Sequence, residues 1–175
     1  PDQHWVSDIT YIKTVEGNCY LNMITDAYSR KIVGYAIDDT METDSMIGAL
    51  KMATAQRKDV TKSTIHHSDR GLQYCSKEYG QMTLENNIRL SMTENGDPLE
   101  NAIAERVNGI IKEEYLETYQ INGIDEAKEL LKAVVDLYNN DRPHMSIGNL
   151  RPNQIHQSSK QIKTEKLWKN YYRKQ

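Results

Sequence analysis

The patterning of this 175-residue chain predicts a mixed α/β fold, a five-stranded sheet flanked by helices. Two observations carry the prediction. Three strand-like stretches joined by short turns open the chain, which makes them antiparallel neighbours. Helical and strand-like stretches then alternate, ending on a helix whose apolar residues recur at helical spacing.

Residues 4–12 read as the first strand, with Val6, Asp8, Thr10 and Ile12 on one face and Trp5, Ser7, Ile9 and Tyr11 on the other. Glu16-Gly17-Asn18 turns into a second strand from Cys19 to Asp26, and Tyr28-Ser29-Arg30 into a third from Ile32 to Ile37. Thr43 is a suitable N-cap for a helix running to about Arg57. A short strand from Ser63 to His66 leads to the Asp69-Arg70-Gly71 turn, then a helix over about 76–86 and a strand from Ile88 to Leu90. Residues 92–100, with Gly96 and Pro98 and no periodicity, form a loop. Asn101 can cap a helix to about Leu116, its core stripe Ile103, Val107, Ile110 and Ile111. At about 100° per residue, Glu105 lies away from that stripe and shares the opposite face with Asn101, Asn108 and Lys112. Ala127, Leu130, Leu131, Val134, Val135 and Tyr138 pattern a further helix over about 125–139, stopped at Asn139-Asn140-Asp141-Arg142-Pro143. The order of elements is compatible with a ribonuclease H-like fold, although pattern alone does not single that fold out.

Length and an apolar content of 38% suit one domain with a true core. No run approaches the roughly 20 apolar residues of a membrane span, so no membrane partner is expected. Neither a signal peptide nor an initial Met is present, and the chain is expected to be part of something longer. Cys19 and Cys75 have no metal spacing and read as free thiols of a reducing cytoplasm. The net charge of −3 is not that of a typical nucleic-acid binder. It is uneven, however: residues 160–175 carry Lys160, Lys163, Lys166, Lys169, Arg173 and Lys174 against Glu165 alone. The expected division is therefore a core over 1–157 and a basic tail over 158–175. With Trp168, Tyr171 and Tyr172 interleaved, that tail is either a contact for phosphates and bases or a solvated end.

Asp8 mid-strand, Asp69 at a strand end and Glu105 in the first turns of a helix, with 35 residues between the last two, are acids that a fold could gather. Phosphodiester chemistry with two Mg²⁺ (or Mn²⁺) ions needs such a set, one carboxylate bridging and the others anchoring each ion. Acids are common enough here that the spacing alone is weak. Asp26 is a rival ligand, better explained as serving the turn that follows it. His66 and His67 have no further ligands at zinc spacing, and His67 is expected to pack or hydrogen-bond near Asp69. Arg142-Pro143-His144 reads as a structural turn.

These same residues carry a resemblance. The stretches Trp5-Val6-Ser7-Asp8-Ile9-Thr10-Tyr11-Ile12, Asp26-Ala27-Tyr28-Ser29-Arg30-Lys31-Ile32-Val33-Gly34, His66-His67-Ser68-Asp69-Arg70-Gly71-Leu72-Gln73-Tyr74, Glu100-Asn101-Ala102-Ile103-Ala104-Glu105 and Tyr138-Asn139-Asn140-Asp141-Arg142-Pro143-His144 resemble, in order, the integrase core of bacterial insertion-sequence transposases. That group shares its catalytic domain with retroviral integrases. The resemblance implies a ribonuclease H-like fold and a catalytic, metal-binding triad of Asp8, Asp69 and Glu105. It also implies metal-dependent DNA strand cleavage and strand transfer, with DNA ends and target as partners and a homo-oligomer as the active complex. By position Lys112 fills the family's basic place seven residues after the Glu, as a phosphate contact or as a solvated lysine. Glu100, where the family commonly has Asp, and Arg106-Val107-Asn108-Gly109, in place of an aromatic-rich run, depart from the pattern without touching the triad. The site of action implied is the bacterial cytoplasm, at the nucleoid. The readings set against it are a catalytically decayed DNA-binding or assembly module and a nuclease acting on RNA–DNA hybrids.

Overall fold

The computed structural model describes residues 1–69, 71–92 and 101–158. The expectations placed on Arg70, on the loop over 93–100 including Glu100, and on the basic tail from residue 159 lie outside the described residues.

Strands β1 (His4–Thr14), β2 (Gly17–Asp26) and β3 (Ile32–Asp38) form an antiparallel meander. Helix α1 (Thr43–Ala55) follows, then β4 (Thr64–Ser68), α2 (Lys77–Glu85) and β5 (Ile88–Met92). The sheet order is β3-β2-β1-β4-β5, with β4 parallel to both β1 and β5. This is the mixed five-stranded sheet expected, and its crossovers through helices place cores on both faces. One core holds Trp5, Ile24, Val33, Leu50, Tyr74, Tyr79 and Ile88 under α1 and α2. The other holds Ile12, Leu21, Met23, Val107, Ile111, Leu131 and Tyr138. It lies under α3 (Ala102–Gly109) and α4 (Ile124–Asp141). Gly34 lets α1 approach β3 closely, since a Cβ there would run into the Ala49 carbonyl.

Four details differ from the sequence expectation. Thr43 is the first helical residue of α1 rather than its cap; Glu42 holds the cap position, without a side-chain bond. The helix expected over 101–116 is three pieces: α3, a π-helical stretch Ile110–Tyr115 and a 3₁₀ turn Leu116–Thr118. In π geometry residues five apart overlie one another, which carries Leu116 back beneath Ile111, and both are buried. The buried stripe of α3 is Ala104, Val107 and Asn108, with Ile103 partly exposed. Beyond α4, where the sequence reading places no element, a 3₁₀ turn Met145–Ile147 leads to α5 (Pro152–Gln157), whose first residue is a proline preset for that position.

The Tyr138-to-His144 stretch is structural. Tyr138 donates its hydroxyl to the Arg30 carbonyl at 2.9 Å. The Asn139 amide accepts from the Ile32 N–H and donates to the Ile32 carbonyl, both at 3.0 Å. Arg142 forks onto Glu114 at 2.7 and 2.8 Å, holding that carboxyl below the usual range, and His144 packs edge-on to Tyr138.

Candidate active site

The parallel register between β1 and β4 runs from His4 opposite Ile65 to Ser7 opposite Ser68. The next residue in β1 is Asp8 and the first residue past β4 is Asp69, so the register brings the two aspartates to neighbouring positions, and the Asp69 charge acts on Asp8. β4 runs two residues beyond the His66 expected as its end, and that extension carries the same register up to the aspartates.

Glu105 is brought in from the helix side. Asn101 stands at the N-cap position of α3, but its side chain caps nothing there. Its amide instead donates to the Ser7 carbonyl at 2.9 Å, a buried bond that ties the start of α3 to β1 one residue before Asp8. One turn past Glu105, buried Asn108 donates to Asp8 Oδ2 at 3.0 Å. Two asparagines on either side of Glu105 thus fasten α3 across the middle of β1. Sequence reasoning gave Asn101 a capping role and Asn108 a place on the face only; the signal available was their i−4 and i+3 spacing from Glu105.

The electrostatics agree with that placement. Burial raises the Asp8 pKa; the Asn108 hydrogen bond opposes it, and the charges of Asp69 and Glu105 raise it further. Asp69 and Glu105 are exposed, Asp8 half-buried. The three are an open group: among the described residues, the trio of ligand-type side chains gathered within 4.8 Å is a different one.

Lys112 falls in the π-helical stretch, so the straight α-helical line from Glu105 on which it was expected does not hold. Its ammonium sits over the Tyr11 ring, 4.2 Å from the centroid, and 3.8 Å from Glu117.

His66 and His67 point to opposite faces. His66 is fully buried, with Nε2 2.9 Å from Ser7 Oγ and Nδ1 3.3 Å from the Tyr79 hydroxyl, and burial lowers its pKa to about 3. It is a neutral core histidine. His67 bonds Ser91 Oγ through Nδ1 at 3.0 Å, while its buried Nε2 has no partner among the described residues. Asp26 serves the turn: Oδ1 accepts from the Ser29 N–H and hydroxyl at 2.8 and 2.7 Å. Burial would raise its pKa, yet His156, the Ser29 donors and the Asp2 amide outweigh burial and hold it at about 2.

The fold is shared with integrase catalytic domains of the ribonuclease H-like class. The HTLV-2 integrase catalytic core, whose structure contains magnesium, superposes with a TM-score of 0.69 at 20% identity, covering 89% of this chain and 97% of that one. Integrase core domain models match residues 1–98 and 86–152, and the chain belongs to this family. Among its relatives is a 31 kDa protein of insertion element IS600 from Shigella sonnei, 37% identical over 87% of this chain and 56% of that protein. A transposase for insertion sequence element IS629 from the same species is 36% identical over 87% of this chain and 51% of its own length. The chain thus spans about half the length of the curated relatives it matches.

Proposed function

We propose that this chain is the catalytic core of an insertion-sequence transposase, a polynucleotidyl transferase that cleaves DNA at an element's end and joins the freed 3′-hydroxyl to a second phosphodiester. What supports the reading most is the β1–β4 register, which brings Asp8 and Asp69 to neighbouring positions, together with the asparagine bonds that fasten the helix bearing Glu105 to β1. The donor set fits a hard divalent cation, since it is all carboxylate oxygen and the charges of Asp69 and Glu105 both act on Asp8. Asp8, Asp69 and Glu105 would hold two Mg²⁺ or Mn²⁺ ions, Asp8 being the carboxylate coupled to both others. Divalent ions there supply activation of the attacking oxygen and stabilisation of the leaving one. The open spacing suits carboxylates that anchor separate ions.

The chain's own residues do the rest of the work. Asn108 donates to Asp8 Oδ2 and restrains its rotamer. Asn101 holds α3, and with it Glu105, at a set height above β1. Lys112, its ammonium over Tyr11 and near Glu117, would supply a phosphate contact. The core comprises residues 1–157, and the basic stretch over 158–175 adds contacts to DNA phosphates. Element ends and target are the DNA partners, a homo-oligomer joins two ends, and the setting is the bacterial cytoplasm at the nucleoid. No helix among the described residues is long and apolar enough to cross a membrane.

The test is Mn²⁺-dependent cleavage and rejoining of a branched DNA substrate by the full-length protein. Asp69→Asn and Glu105→Gln should each abolish both steps while circular dichroism stays unchanged. Residual cleavage by a pure variant would remove the assignment; inactivity of the unaltered full-length protein would favour a decayed assembly module.

A further inference from the structure

Three steps along the β1–β2 ladder from Asp8, about 10 Å away, lies a second group of ligand-type side chains. Asp2, Asp26 and His156 each present one ligand atom, and these atoms lie within 4.8 Å of one another. The group is closed, with side-chain exposures of 14% for Asp2, 0% for Asp26 and 3% for His156.

Its hydrogen bonds fix the ring's tautomer. Ser29 Oγ donates its one proton to Asp26 Oδ1 at 2.7 Å. The 2.9 Å contact between Ser29 Oγ and His156 Nδ1 is therefore an N–H donated by the ring. A neutral ring in this form carries a lone pair on Nε2. That nitrogen faces Asp2 Oδ1 across 3.8 Å, beyond hydrogen-bond range. A ring-nitrogen lone pair and a carboxylate oxygen at this separation can share a cation. The nearby lysines are turned elsewhere: Lys31 Nζ bonds Gln56 Oε1 at 3.0 Å, and Lys58 Nζ reaches the His156 carbonyl at 3.4 Å.

We propose that Asp2, Asp26 and His156 bind a divalent first-row transition ion of the Zn²⁺ or Mn²⁺ type in a closed structural site. With bonds of about 2.1 Å, the 3.8 Å between His156 Nε2 and Asp2 Oδ1 subtends about 130° at an ion, so small side-chain shifts bring this pair to the tetrahedral angle. An imidazole beside two carboxylates selects these ions over Mg²⁺ or Ca²⁺. The Nδ1–H bond to Ser29 is the outer contact by which a ligating histidine is ordinarily oriented. Asp26 Oδ2, bonded so far to the Asp2 N–H at 2.7 Å, keeps a lone pair for the ion. The ion would join α5 and the segment before β1 to the end of β2, a role in holding the fold rather than in chemistry.

Co²⁺ titration of the full-length protein carrying Asp69→Asn and Glu105→Gln, which silences the other acids, tests this. Expected are visible absorption bands at one equivalent, one shifted histidine ring proton in the NMR spectrum, bleaching by Zn²⁺ and a raised Tm. Asp2→Asn, at the least buried ligand, should keep the fold and weaken Co²⁺ at least about tenfold, and His156→Gln should abolish the bands. Absence of the bands in the parent, or bands unchanged by Asp2→Asn, overturns the proposal. So does an Nε2 proton resonance that persists with excess Zn²⁺, which marks an imidazolium paired with Asp2.

Discussion

Asp8 and Asp26 stand on the same antiparallel ladder, Asp8 opposite Met23 and Asp26 opposite Trp5, and folding treats them in opposite ways. Asp26 is fully buried, accepts three hydrogen bonds and is held at about pKa 2. Asp8 is half-buried, which raises its pKa, accepts one side-chain bond, and is acted on by two further carboxylates that raise it more. The contrast separates an acid whose charge the fold satisfies from one whose charge the fold leaves open. The first kind holds structure together; the second is where a metal and a substrate can enter, since catalytic metal sites keep an open position and structural ones are closed.

Exchanging the two roles breaks the comparison if it is wrong. The largest effect is expected from Asp8→Asn, a loss of roughly 10³-fold or more in Mn²⁺-dependent strand transfer, with Tm unchanged or slightly higher because a crowded negative charge is gone. Asp26→Asn should do the reverse, losing about 3 kcal/mol of stability in urea unfolding while the folded fraction keeps its activity per molecule. A stable, inactive Asp26→Asn protein would invert the assignment. A smaller effect should follow Asn108→Ala, which frees the Asp8 rotamer: a 10–100-fold rise in the Mn²⁺ needed for half-maximal activity, restored in part by Asn108→Gln if a reaching amide is what matters.

The smallest effect tests whether the buried polar groups between these sites are neutral. His66 has its pKa lowered to about 3 from an ordinary 6.5. The unfolded chain takes up a proton as pH falls below 6.5, while the folded one does not until about 3. Stability therefore declines as pH drops through that window, by about 1 kcal/mol between pH 6.5 and 5.5. The urea midpoint should follow this slope, and His66→Gln should flatten it. Asp26 adds a further loss only below the ordinary carboxylate range, as pH falls through 4 toward 2.

Much of this was legible in the residues. The turns at Glu16-Gly17-Asn18 and Tyr28-Ser29-Arg30 set the meander, and the α4 pattern foretold the helix to within two residues at each end. Asp26 was rightly given to its turn, because an aspartate followed three residues later by serine closes a local hydrogen bond. What stayed hidden was non-local. The end of β4 depends on pairing with strands far away in sequence, so its last two residues, which pair with Val6 and Ser7 just before Asp8, carried no local signal. Asn101 looks like a cap, since asparagine commonly is one; the stronger partner, the Ser7 carbonyl, is 94 residues away. The π-helical stretch follows from apolar residues at 110, 111 and 116 that α-helical spacing cannot bury together. Arg151-Pro152 held a helix-start signal for α5 that the surrounding polar residues masked.

The paired bonds of Asn139 to both polar groups of Ile32 have a consequence of another kind. β3 is an outer strand of the sheet, and outer strands are templates on which a foreign strand can add. One amide side chain occupies the donor and acceptor that such a strand would take, so α4 closes the entry end of β3 against strand addition. What this asparagine guards is the chain's solubility when crowded, a property that neither the core beneath it nor the acids beyond it supplies.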